Sequence, residues 1–147
     1  MKLSKKQYNL IALAIVVLIS LWQWYESQPL VQTTSNSAYP SVAQARSQQL
    51  RDVQIQGSGT VDRLLADDLK GSRHQRILLR EPNGKTLLVV HNIDLAPRIN
   101  SIKVGDTLNY FGEYIWNDKG GLVHWTHHDP DGRHIGGWLE HNGRRYE

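Results

Sequence analysis

Asn83-Gly84 lies between two β-rich runs, Arg73 to Glu81 and Lys85 to Asn92, and constrains the fold more than any other short string in the chain. Both residues tolerate positive φ, so the pair is the favoured two-residue turn of a β-hairpin. Pairing across it predicts a core face of Ile77, Leu79, Leu88 and Val90. The opposite face then carries His74, Arg76, Arg80, Val89 and His91, with Arg76 across from His91. Upstream, Val53, Ile55, Gly57, Gly59 and Val61 alternate with polar residues, and the glycines predict a strand that bends sharply. Downstream, Thr107 to Trp116 and Leu122 to His127 flank the turn Asn117-Asp118-Lys119-Gly120-Gly121. The tail repeats the hairpin pattern around Asn142-Gly143, setting Glu140 across from Arg145 and Leu139 across from Tyr146. Asp94 to Ile102 offers a cap and a proline in its first turn, which predicts one or two turns of helix. Five strands with a short helix between the third and fourth is the order of an OB-like barrel, a small, mainly β fold. An SH3-like barrel is the alternative, because periodicity does not reveal strand order.

The N-terminus reads differently. Lys2, Lys5 and Lys6 precede an apolar run, Leu10 to Trp22, interrupted only by Ser20, with Tyr8, Trp24 and Tyr25 at its ends. With its flanks the stretch reaches about 18 residues, close to the roughly 20 that span a bilayer. Aromatic edges and N-terminal lysines predict a single-pass inner-membrane helix with its N-terminus in the cytoplasm and the C-terminal domain in the periplasm or another extracytoplasmic space. A cleaved signal peptide is the rival, but Leu21-Trp22-Gln23-Trp24-Tyr25-Glu26 is bulky where cleavage needs small residues. Three segments follow: an anchor over 1–25, a Ser/Thr/Gln/Pro spacer over 26–40, and a β domain over 41–147. Ser41 with Gln44 has capping-box spacing and predicts a short helix ending near Arg51.

Charge bounds the partners. Removing Lys2, Lys5 and Lys6 from the 17 cations, and Glu26 from the 14 anions, leaves 14 against 13 over residues 27–147. A total so nearly neutral implies no strongly cationic nucleic-acid surface unless charge is clustered locally, and argues against tight general nucleic-acid binding. With no cysteine, the chain has no disulfide-linked partner, thiolate nucleophile or thiolate metal site.

The strings HQRILL from His74, HNIDLAPRI from His91, GEYIWNDKGGLVHWTHHDPDGRH from Gly112 and GWLEHNG from Gly137 stand out. Together they resemble a small bacterial family of domains of unknown function, usually found behind a signal or anchor segment. The resemblance covers roughly residues 50 to 147 and implies an exported domain; it implies no activity.

Gly112 to His134 holds four of the seven histidines and most of the candidate chemistry. His124, His127, His128, Asp131 and His134 are candidate ligands for one divalent metal ion, zinc foremost. On a regular strand His124 and His128 stand about 13 Å apart, so a shared ion needs a bulge or a ligand from elsewhere. Without metal, His127 or His128 oriented by Asp129 is a general base, which suits a phosphodiesterase or nuclease. A binding module would use His74, Arg76, His91, Trp116, Trp125 and Arg133 toward an envelope glycan, a peptide or a nucleic acid. Against all three stands scaffold: tryptophans on strands are usually core, and a histidine beside one is often tied to backbone.

Overall fold

The computed structural model describes residues 5–26 and 38–147. The chain forms two compact units, Met1–Asn36 and Ser37–Glu147. The expected spacer falls mostly on 27–37, outside the described residues, as do the side chains of Tyr8, Trp24 and Tyr25.

In the first unit, α1 (Lys5–Glu26) is a 22-residue helix. Leu13, Leu18 and Trp22 are each more than 60% exposed. Among the described residues no helix is long and apolar enough to cross a membrane. The helix expected there is present as α1, and the side chains of residues 8–12 and 24–26, which belong to the expected span, lie outside the described ones.

The second unit opens with α2 (Val42–Ser47), and the capping box is present. Gln44 donates its backbone N–H to Ser41 Oγ at 3.2 Å, and the Ser41 N–H reaches Gln44 Oε1 at 3.0 Å. The helix stops before Arg51 because Gln49 turns left-handed, with φ 53°.

Seven strands follow: β1 (Arg51–Asp68), β2 (His74–Arg80), β3 (Thr86–Asn92), β4 (Thr107–Ile115), β5 (Leu122–His124), β6 (Trp138–His141) and β7 (Arg144–Tyr146). The first five form a closed ring in the order β1-β2-β3-β5-β4, with β4 pairing back onto β1. The β3–β5 pairing is parallel and the others antiparallel. β1 closes the ring by bending: Arg51 to Thr60 pair with β4, and Thr60 to Asp68 pair with β2. Gly57 permits the bend to pack, since a Cβ there would meet the Tyr110 hydroxyl at 2.5 Å. The β6–β7 hairpin attaches to β4 and keeps the expected pairs Leu139↔Tyr146 and Glu140↔Arg145. Inside the ring, Ile55, Ile77, Leu79, Leu87, Val89 and Leu139 are fully buried.

Three expectations need correction. The β2–β3 register is shifted by one residue: Ile77 pairs with Val89, Leu79 with Leu87, Arg76 with Val90 and Gln75 with His91. Pro82 is the reason, because its fixed φ suits the second position of an ordinary tight turn and not the mirror-image turn that Asn-Gly favours. Gly84 donates back to the Glu81 carbonyl at 2.9 Å, sits at φ 79°, and becomes the third loop residue. One step of register inverts β3, so Leu87, Val89 and His91 face inward and Leu88 and Val90 outward. Second, no helix forms between β3 and β4. The buried Gln75 amide brackets Ile99 instead, accepting from its N–H at 2.9 Å and donating to its carbonyl at 3.0 Å. Third, β5 ends at His124 and not at His127, because Trp125 is left-handed, with φ 51°.

Candidate functional site: a histidine-lined hollow

The left-handed Trp125 breaks the alternation of β5, so two consecutive residues after it, Thr126 and His127, are both buried. The chain closes over them where Gly137 donates its N–H to the His127 carbonyl at 2.8 Å. Only glycine fits at 137, since a Cβ would lie 2.1 Å from the Trp125 carbonyl oxygen.

His91 anchors this segment from the interior. Its Nδ1 is 2.8 Å from Thr126 Oγ1, and its Nε2 is 3.3 Å from the Pro97 carbonyl. A carbonyl can only accept, so Nε2 carries the proton and Nδ1 receives the threonine hydroxyl. Burial pushes the imidazole pKa down to about 4, and His91 is neutral. Its two nitrogens are used by the fold, which takes it out of the expected ligand-binding set.

Beside it lies a hollow of about 320 Å³, walled by His74, Asn92, His124, Trp125 and His127 with Val90 and Leu95 as its apolar part. His127 donates Nδ1–H to the His128 carbonyl at 2.7 Å, which fixes its tautomer. Burial lowers its pKa, so Nε2 keeps a lone pair for a ligand at neutral pH. His124 lies opposite Glu113 in the β4–β5 ladder, and its Nε2 is 3.1 Å from Glu113 Oε1. Burial outweighs that carboxylate and lowers the His124 pKa, so a neutral ring donates Nε2–H to Glu113. His134 stacks on Trp125, with ring centroids 4.0 Å apart and planes 19° apart, and its Nδ1 is 3.8 Å from Glu113 Oε2.

The rest of the cluster is not gathered there. His128 is exposed. Asp129 shapes its own loop: Oδ2 accepts the His134 N–H at 2.6 Å and the Arg133 N–H, and Oδ1 accepts the Asp131 N–H at 3.0 Å. These backbone donors, His134 foremost, hold the carboxyl below its ordinary range. Asp131 pairs with Arg133 on the surface. Neither His127 nor His128 therefore receives a carboxylate from Asp129 or Asp131. Among the described residues no group of three or more His, Asp or Glu is placed to hold a metal ion. Arg76 donates Nε–H to the Ala66 carbonyl at 2.8 Å, and Trp116 borders a different hollow.

Residues 27–147 match the family described as a protein of unknown function (DUF3465). The chain belongs to that family. Its region takes in α2, all seven strands and the histidine-lined hollow. Among curated proteins none matches the chain.

The DUF3465 domain also holds polar pairs that the sequence reading did not single out. Glu113 was legible in principle, because the hairpin around Asn117 to Gly121 sets it opposite His124. Asn92 entered the hollow through the register shift of β3, where it pairs with His74. His141, almost fully buried, meets Asp106 Oδ2 at 2.8 Å and ties β6 to the turn before β4. No short motif links those two residues, and only the fold brings them together.

Proposed function

We propose that the chain is an extracytoplasmic binding module, held at the inner membrane by its N-terminal helix and built on an OB-like barrel. The observation that carries this reading is the hollow at the end of β2, β3 and β5, with a neutral, tautomer-locked His127 in its wall. OB-like barrels bind ligands across the face of their second and third strands, and the five-strand ring with a parallel β3–β5 pair supports that comparison. An aromatic wall, an amide and uncharged imidazoles suit a neutral, hydroxyl-bearing ring, which makes an envelope glycan the ligand class of choice. The exposed apolar side chains described in α1, among them Leu13, Leu18 and Trp22, support the tether. Hydrolysis by His127, His128 and Asp129 is the weaker reading, because Asp129 spends both oxygens on backbone amides. A metal ion is left out of this proposal, as no three ligands converge among the described residues.

The test is an NMR titration of the full chain in neutral detergent with short N-acetylglucosamine oligomers. The Trp125 and His127 side-chain signals are expected to move, and His127→Ala is expected to weaken binding about tenfold, the size of one good hydrogen bond. Saturating glycan that leaves both signals in place would sink the proposal.

A further inference from the structure

A second hollow, of about 410 Å³, opens between α2, the β2–β3 turn and the β4–β5 turn. Parallel pairing of β3 with β5 creates it: Leu88 is the partner of Leu122 and donates its N–H to the Gly121 carbonyl at 3.2 Å. That contact sets the two turns side by side, so Lys85 and Lys119 border one space although they are far apart in sequence. Gly120 makes the approach possible, because a Cβ there would lie 2.4 Å from the Thr86 carbonyl oxygen.

The charge in this space is uneven. Arg46, Lys85 and Lys119 border it against a single acid, Asp118. Arg46 is balanced by Glu81, but neither lysine has an ion pair among the described residues. Two exposed lysines bordering one space favour an anion placed there. Arg46 borders the space with a side chain only 10% exposed, its guanidinium held by Glu81 and by the Thr86 and Gly120 carbonyls. Trp116, half-buried, supplies an apolar wall next to the cations, and the volume lies in the range of small-molecule sites.

We propose that this hollow is a second binding site, for an anionic group carried on a sugar-like ring: the acid between Lys85 and Lys119, the ring against Trp116. It is separate from the histidine-lined hollow. Thr86 borders one and Val90 the other, four positions along β3, or about 13 Å.

The experiment follows the Trp116 indole N–H by NMR in the full chain, with glucuronate, glucose 6-phosphate and uncharged glucose as probes. At least one charged probe shifts Trp116 while glucose does not, and the tighter of the two identifies the acid as carboxylate or phosphate. The double substitution Lys85→Ala with Lys119→Ala weakens that binding about tenfold or more, and Lys85→Arg with Lys119→Arg retains it. His127→Ala leaves it unchanged, which separates this site from the one proposed above. An unmoved Trp116 with both charged probes would overturn the assignment. So would equal binding of glucose, or full binding by a double alanine variant whose free spectrum is native.

Discussion

In the folded protein His91 is uncharged above about pH 4, because burial seals its ring between Thr126 and Pro97. In the unfolded chain the same ring takes its proton near pH 6.5. With a folded pKa of about 4, the unfolded state binds more protons between those values, so stability falls as pH drops through that window. Above it the contribution is constant, and below it the loss is complete at roughly 3 kcal/mol. His124 and His127, also lowered, act with the same sign. Urea unfolding at pH 7 and pH 4 reads the sum, and NMR titration of the His91 ring isolates its share. A His91 midpoint near 6.5 would remove the argument. The sequence showed seven histidines without showing which were spoken for. Both His91 and His127 are buried and donate to a carbonyl, and what separates them is that the other nitrogen of His91 is taken by Thr126, a contact distant in the chain.

At the scale of the hairpin, one proline decides which side of β3 is wet. The sequence reading found both strands of this hairpin and assigned Ile77 and Leu79 to the core correctly. It misplaced Leu88, Val90 and His91, because Asn-Gly can end a three-residue loop as well as form a two-residue one. Glu81 and Lys85 pair across the native loop, with a 2.8 Å bond from the Glu81 N–H to the Lys85 carbonyl. Deleting Pro82 leaves Asn83-Gly84 as a two-residue turn between that same pair. The shortened protein is therefore expected to keep the native register and a buried His91. Cross-strand proton contacts between Ile77 and Val89 report this directly; contacts between Ile77 and Val90 would mean that the strand had slipped. The segment from 94 to 102 teaches a related lesson. Its local helical signal lost to a buried glutamine, which no local pattern could announce.

Across the whole β domain, Arg46 fastens three segments at once. Its guanidinium holds the Glu81 carboxylate, the Thr86 carbonyl at 3.1 Å and the Gly120 carbonyl at 2.8 Å. Glu81 is 4% exposed, so losing the arginine strands a buried charge. Arg46→Ala is expected to cost about 3–5 kcal/mol, and replacing both residues by leucine to recover much of it. Thermal or urea unfolding of the single and double variants measures the cycle, and equal losses in both would contradict it. Ring closure places a further demand on the molecule as it is made. The first half of β1 has no partner until β4 exists, since Arg51 pairs with Ile115. A ribosome, or a pore that threads the chain from its N-terminus, releases β1, β2 and β3 long before the strand that completes them. What emerges first is an open meander with two bare edges, β1 awaiting β4 and β3 awaiting β5, and the domain locks in a late event whose rate is set by that distant pairing. A chain cut short anywhere in β4 would keep bare edges and stick to its neighbours.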